Sequence, residues 1–440
     1  MQGERKTLTQ LSVPICLETL FYMLSGMVDT LMLSSVSDQA VGAVGTANTY
    51  IGVFIIMFGV ISSGMVAVMS QNIGAGRPGI AYQARQLGLV FNALTGILMS
   101  VVLAVFSGGI LRAVSIAPAL LESAETYLKI VGGASFLNAL IPIFSSYLRV
   151  FGYTKHSLIG TVVGNVINII LNSVFLFVFH WGVMGVATAT VISKVVNLII
   201  VAAMGAVLIK AKQSPERAQP RRILAQIVKI GFPSVFETAL YNVAMTFIVC
   251  FMNHMDTDGM NVTARSYAMQ IANFSYCVGA ALAQANAIMT GWRIGAKKYE
   301  ECDRGTRKAV IYGLVTATCF SVTFAMTGRF IVHIFTDDTQ MIELVVKLLI
   351  VDIFLEFGRV TNLVYGQALK TSGDAIFPVI IGAIFMYLFA VGGTYFLGIH
   401  MGLLAVGAYI AMAGDECARA IGMVLRWKSG KWKSKSLIEL

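Results

Sequence analysis

Long apolar runs alternate with short polar segments along the whole chain. A helix that crosses the hydrocarbon core of a bilayer needs about 20 mostly apolar residues. Twelve runs reach this length, and the pattern predicts an all-α integral membrane protein with twelve transmembrane helices. The predicted spans are 9–33, 40–69, 86–109, 123–148, 157–180, 184–210, 225–253, 262–290, 308–331, 340–368, 375–398 and 402–426.

Composition supports this class. Of the 440 residues, 57% are hydrophobic and only 12% are charged, whereas about a quarter of the residues of a soluble protein are charged. The six cysteines are scattered without a CxxC pair and the five histidines lie far apart, so we expect no disulfide framework, no zinc site and no cofactor. Eleven more apolar runs follow the first one. We therefore expect the first run to be a transmembrane helix and not a cleaved signal peptide.

Basic residues fall in alternate loops. Of the 32 Lys and Arg residues, 24 lie in the chain ends and in every second loop. By the positive-inside rule, both termini and these loops are predicted to be cytoplasmic, in a multi-pass protein of the inner or plasma membrane. The net charge of +10 is then a topology signal. We expect modest attraction to anionic membrane lipids and no nucleic-acid binding.

The chain contains two copies of a six-span unit. Because six is even, both copies begin on the same side, which predicts a pseudo-two-fold axis along the membrane normal. We predict an N-lobe at 1–210, a cytoplasmic linker at 211–224 and a C-lobe at 225–440. The recurring landmarks are 14–19 with 233–238 (offset 219), 73–75 with 294–296 (offset 221), and 180–182 with 400–402 (offset 220).

Two similar lobes can enclose a cavity and expose it to each side in turn, which favours a transporter. A channel more often forms its pore from symmetric oligomers. A membrane enzyme needs metal ligands or an activated nucleophile, and the sequence shows neither pattern. We therefore expect a non-enzymatic transporter that works as a monomer.

Four polar residues of the N-lobe spans, Asp29, Asn168, Asn172 and Thr190, have apolar or glycine counterparts in the C-lobe. They lie at similar predicted depths, and Asn168 and Asn172 share a helix face. One carboxylate among amide and hydroxyl oxygens suits Na⁺ or a proton. Tyr22, in the same span as Asp29, completes the ion-coupling candidates. The alternative is that the asparagines and Thr190 only form hydrogen bonds between helices.

The C-lobe offers a weaker set of candidates. Glu237 and Glu356 are acids inside predicted spans, where ionisable groups are costly and mark sites by default. Arg359 follows Glu356 by three residues, so the two can simply neutralise each other. Glu237 is the repeat partner of Glu18, which favours a structural role in both lobes. The predicted substrate-cavity residues are Glu237, Gln270, Asn273, Glu356 and Arg359.

Several segments resemble the multidrug and toxic compound extrusion family of antiporters. The resemblance implies twelve helices in two bundles and the efflux of organic cations in exchange for Na⁺ or H⁺. It also implies that Asp29 is the coupling carboxylate and that Pro14 marks a bend in helix 1. Members with a defined sodium site often have Asp where this chain has Asn172. The matching segments are 28–30, 40–45, 71–76, 168–172, 185–190 and 369–374.

The predicted mechanism is antiport. Ion binding at Asp29 and drug binding in a cavity exclude each other, so the drug leaves as the ion enters. The alternative is a flippase for lipid-linked or polysaccharide precursors, which an arginine-rich cavity would favour. The spans hold few arginines, so we expect export of small organic cations.

Overall fold

A computed structural model describes residues 6–113, 116–255 and 259–438, and the regular structure within them is helical throughout. Residues 1–5 of the predicted N-lobe lie outside the described residues. The predicted fold class, an all-α membrane protein with twelve spanning segments, is confirmed. These segments are α1 Leu8–Ser34, α2 Asp38–Gly74, α3 Pro78–Val105, α4 Pro118–Gly132 with Phe136–Val150, α5 Thr154–Val178, α6 Gly182–Leu208, α7 Pro220–Asn253, α8 Met260–Gly295, α9 Tyr299–His333, α10 Thr339–Ser372, α11 Ile376–His400 and α12 Leu404–Lys428.

The chain forms two compact units, here called the N-unit and the C-unit. The N-unit contains Val13–Phe232, and the C-unit contains Thr7–Ser12 together with the chain from Pro233 onward. Each unit has its own apolar core. Between α6 and α7, Lys210–Gln213 form a short 3₁₀ turn. The predicted lobe and linker limits at 210, 211–224 and 225 stay predictions.

Hydropathy separates the segments into two groups. In the described chain, eight helices are individually long and apolar enough to span a bilayer, or nine if the two halves of α4, which meet at 42°, count as one. The other three, α8, α10 and α12, pack against one another in the C-unit. Their low hydropathy reflects charged side chains that are buried inside the C-unit. The buried charged residues of these helices are Arg265, Asp352, Glu356, Asp415, Glu416 and Arg419.

Prolines lie inside the first helix of each repeat. Pro14 is within α1 and Pro233 is within α7, and both helices continue through the proline. A proline inside a helix removes one backbone hydrogen bond and favours a kink. The predicted helix 1 bend at Pro14 stays a prediction.

Candidate functional site

The Asp29 side chain on α1 is held by an asparagine on α5. Asn172 Nδ2 donates a hydrogen bond to Asp29 Oδ1 at 2.6 Å and lies 3.3 Å from Asn168 Oδ1. Asn168 and Asn172 are buried, and Asp29 is half-buried. The structure therefore brings together three of the predicted ion-coupling residues.

Close packing of α5 against α6 sets the position of these asparagines. A Cβ atom on Gly160 would lie 2.6 Å from Asn197 Oδ1, and one on Gly164 would lie 3.2 Å from the Ser193 carbonyl oxygen. Only small residues permit such an approach between helices. Asn168 is one turn beyond Gly164, so its amide is carried on the face of α5 that meets α6.

Thr190 lies on α6. Its hydroxyl donates to the Val186 carbonyl at 2.8 Å, within its own helix. The Tyr127 hydroxyl of α4 is within hydrogen-bonding reach of Thr190 and also interacts with Asp29 electrostatically. Thr190 is thus linked to the Asp29 group through Tyr127, a residue that the sequence-based selection omits.

A lysine accompanies the carboxylate. Lys194 is one turn after Thr190 on α6, and its charge interacts with that of Asp29. Lys194 Nζ also donates to Asn138 Oδ1 at 2.9 Å. The sequence-based selection omits Lys194 and Asn138. An ionisable residue inside a predicted span marks a candidate site by default, and this signal could have found Lys194.

Tyr22 differs from the other predicted members. It lies two turns before Asp29 on α1, and its side chain is 67% exposed. Within the described residues it forms no hydrogen bond to the Asp29 group. The four residues predicted to hold Na⁺ supply a single carboxylate, that of Asp29. In the same described ranges, no three His, Cys, Asp or Glu side chains come together as a metal site.

Glu18 and Glu237, the repeated acids, form equivalent ion pairs. Arg149 Nη2 lies 2.6 Å from Glu18 Oε1 in the N-unit, and Lys370 Nζ lies 2.5 Å from Glu237 Oε2 in the C-unit. Arg149 and Lys370 are themselves separated by the repeat offset of 221. Ser157 also donates to Glu18 at 3.0 Å. Both repeats therefore contain an acid with a basic partner, buried at Glu18 and half-buried at Glu237.

Removing one member of the N-unit pair should destabilise the fold. Arg149→Met leaves the buried Glu18 carboxylate without its cation, at a cost of about 3–5 kcal/mol. We expect a clear fall in the melting temperature of the purified protein, measured by intrinsic fluorescence. The double variant Glu18→Gln/Arg149→Met should recover most of the loss. If Arg149→Met is no more harmful than Lys155→Met, which removes an exposed lysine, the pair does not stabilise the fold.

The C-unit contains a cavity of about 440 Å³. Of the predicted cavity residues, Glu237, Asn273 and Arg359 line it. Glu356 is fully buried behind the wall and pairs with Arg359. Gln270 is exposed and does not line this cavity.

Ionic groups surround this cavity. Arg359 pairs with Glu356 and lies 3.7 Å from Glu416, and Arg419 lies 2.9 Å from Glu416. Asp415 also binds Arg419, at 2.6 Å. The spans hold few arginines, as counted from the sequence, but three of them line this one cavity. These three are Arg265, Arg359 and Arg419, and the packing of their three helices brings them to the same cavity.

Comparisons with known proteins agree with this architecture. The model of the family MatE matches residues 14–174 and 233–396. An uncharacterized transporter, YisQ, of Bacillus subtilis is 32% identical over 437 residues, covering 98% of this chain and 96% of that protein. A probable multidrug resistance protein NorM of Thermotoga maritima is 26% identical, covering 99% and 94%. A crystal structure of MATE in the straight conformation superimposes with a TM-score of 0.88 at 19% identity, covering 97% and 96%.

The helical membrane fold, together with the similarity to a transporter over nearly the whole chain, defines a multi-span transporter. The chain belongs to the MatE family. It is therefore a membrane-located transporter and not an enzyme, as predicted.

Proposed function

We propose that this transporter exports organic cations in exchange for protons that enter the cell, with Asp29 as the coupling carboxylate. The observation that carries the proposal is the polar group around Asp29, which contains one carboxylate, one lysine and two asparagine amides. Relatives described as probable multidrug resistance proteins support the substrate class.

The contacts of Asp29 favour a proton over Na⁺. A sodium ion needs several oxygen ligands, whereas Asp29 Oδ1 accepts an amide N–H from Asn172. The nearby Lys194 ammonium already supplies a positive charge. This ammonium opposes the arrival of any further positive charge, so the preference rests on coordination: a proton needs a single carboxylate oxygen, whereas Na⁺ needs a shell of oxygen ligands.

Asn172 can also serve both charge states of Asp29. Its Oδ1 atom is buried and has no hydrogen-bond partner. If Asp29 becomes protonated, a 180° rotation of the Asn172 side-chain amide presents this oxygen to the new O–H. The separation of 2.6 Å suits an O–H···O hydrogen bond as well. Asp29 can therefore gain and lose a proton through the rotation of one amide, which gives up the 3.3 Å contact with Asn168 Oδ1.

The proposed cycle depends on competition. Proton binding at Asp29 and substrate binding exclude each other, so the outward release of the organic cation accompanies proton entry, with both termini in the cytoplasm. Linkage makes this coupling reciprocal. The C-unit cavity volume of about 440 Å³ suits a drug-sized molecule. Lipid-linked precursor transport is less well supported, because most cavity cations are already paired with acids.

Gradient-driven transport tests the proposal. The purified protein is reconstituted into proteoliposomes that contain ethidium. Either a proton gradient or a sodium gradient is then imposed across the vesicle membrane. We expect the proton gradient to drive ethidium transport and the sodium gradient to leave the passive rate unchanged. Transport driven only by sodium would replace the proton in the cycle, and no transport under either gradient would contradict the antiport proposal.

A further inference from the structure

Most charges at the C-unit cavity neutralise one another. Glu237 binds Lys370, Arg359 is committed to Glu356 and Glu416, and Arg419 binds Asp415 and Glu416. Burying a charge is costly unless it is paired and hydrogen-bonded. These pairs therefore form a closed network in the wall. Two charged groups that line the cavity, Arg265 and Asp352, do not take part in these ion pairs.

Arg265, on α8, has no acidic partner among the described residues. Its side chain is 8% exposed. The polar contact that it makes is between Nη2 and the Met245 sulfur, at 3.7 Å, and a thioether is a weak acceptor. A guanidinium carries five N–H donors in a planar fork that matches a carboxylate or a phosphate. The buried fork is thus available to an anionic group in the cavity.

Asp352, on α10, is the opposite case. It is 4% exposed, and no described side chain forms an ion pair or hydrogen bond with it. Arg359 lies near enough to interact with its charge, but that guanidinium is already bound to Glu356 and Glu416. The Asp352 carboxylate is thus available to a cationic group.

The two unpaired groups do not satisfy each other, because no ion pair joins Arg265 to Asp352. Tyr409 interacts electrostatically with both and also lines the cavity. The rest of the cavity wall offers aromatic and thioether surface, which adapts to flat ring systems. The apolar and aromatic lining includes Tyr241, Met245, Met269, Tyr276, Met386 and Met412.

We propose that this cavity binds an aromatic zwitterion, with its anionic group on Arg265 and its ammonium on Asp352. The inference rests on the proposed function, since it takes the cavity as a substrate site, and it narrows the substrates from organic cations in general to those that also carry an anionic group. A molecule with both charges satisfies both buried groups. A simple cation leaves the Arg265 guanidinium unpaired, and a simple anion leaves the Asp352 carboxylate unpaired.

Three probes with the same indole ring test the charge requirement. At neutral pH, tryptophan is a zwitterion, tryptamine a cation and indole-3-propionate an anion. Equilibrium dialysis of the radiolabelled probes against the purified full-length transporter gives their affinities. We expect tryptophan to bind at least about tenfold more tightly than either singly charged probe, because one lost buried charge contact exceeds the energy equivalent of a tenfold change.

Two variants assign the charges. Arg265→Gln should lower tryptophan affinity to that of tryptamine and leave tryptamine unchanged, whereas Arg265→Lys should retain part of the preference. Asp352→Asn should lower tryptophan affinity to that of indole-3-propionate. Equal wild-type affinities, no binding of any probe, or an equal loss of tryptophan and tryptamine in Arg265→Gln would overturn the proposal. The wild-type comparison decides the charge requirement even if a variant fails to fold.

The binding experiment is independent of the gradient experiment. Ethidium transport under a proton gradient without any preference among the indole probes would reject the zwitterion site alone. A clear preference for tryptophan without gradient-driven transport would reject the antiport proposal alone.

Discussion

Asp29→Asn is expected to abolish proton-driven ethidium transport. The substitution preserves size and hydrogen-bonding ability but removes the group that gains and loses the proton. The initial rate in proteoliposomes under a proton gradient should fall to the passive rate of protein-free liposomes, because the variant has no group at this position that exchanges a proton. Protein yield and melting temperature should stay close to the wild-type values, because Asn172 can still bond to the new amide.

The matched control for this experiment is Asp337→Asn. It removes the same charge from a carboxylate that is 94% exposed and lies between α9 and α10. Its transport rate should equal that of the wild type. A rate for Asp29→Asn above half of the wild-type rate, at equal reconstitution, would remove Asp29 from the coupling mechanism.

The second large effect is expected at the crossing of α10 and α12. Gly358→Ala would place a Cβ atom 2.6 Å from the Cys417 nitrogen and 2.7 Å from the Glu416 carbonyl carbon. Backbone atoms cannot move aside as a side chain can, so the helices must separate. The cost should reach about 3 kcal/mol, which corresponds to a fall of roughly 5 °C or more in melting temperature. Separation should also break the Arg359–Glu416 contact at the cavity.

Gly414→Ala is the control for this crossing. Gly414 is on α12, is exposed, and has no atom within 4 Å of a Cβ built there. Its melting temperature should equal or slightly exceed that of the wild type, because alanine favours a helix more than glycine does. If the two alanine variants melt alike, the close approach at Gly358 does not limit the packing of α10 on α12.

The sequence predicts the fold well because membrane spans depend on length and apolarity, which are local properties. The internal repeat adds a comparison between the two halves that separates Asp29, Asn168 and Asn172 from their apolar or glycine counterparts. The hydrogen bond between Asn172 and Asp29 agrees with that selection. Their roles in ion coupling stay a proposal.

Other parts of the candidate sites depend on tertiary register. Lys194 passes the same comparison, because its counterpart at offset 220 is Gly414, but its contact with Asn138 depends on the packing of α6 against α4. Arg265 and Asp352 lie on different helices, and the pairing of their neighbours is what leaves them free. Gln270 is selected as a polar residue inside a span, but it does not line the C-unit cavity. Helical periodicity alone does not determine which face meets that cavity.

Proton release on substrate binding tests the central claim most directly. Ethidium is added to detergent-solubilised protein in weakly buffered solution without sodium, at a pH where transport is active, and the pH change is recorded. Competition at Asp29 predicts the release of up to about one proton per bound ethidium by the wild type and none by Asp29→Asn. Ethidium binding without proton release by the wild type, or equal release by both proteins, would contradict the account.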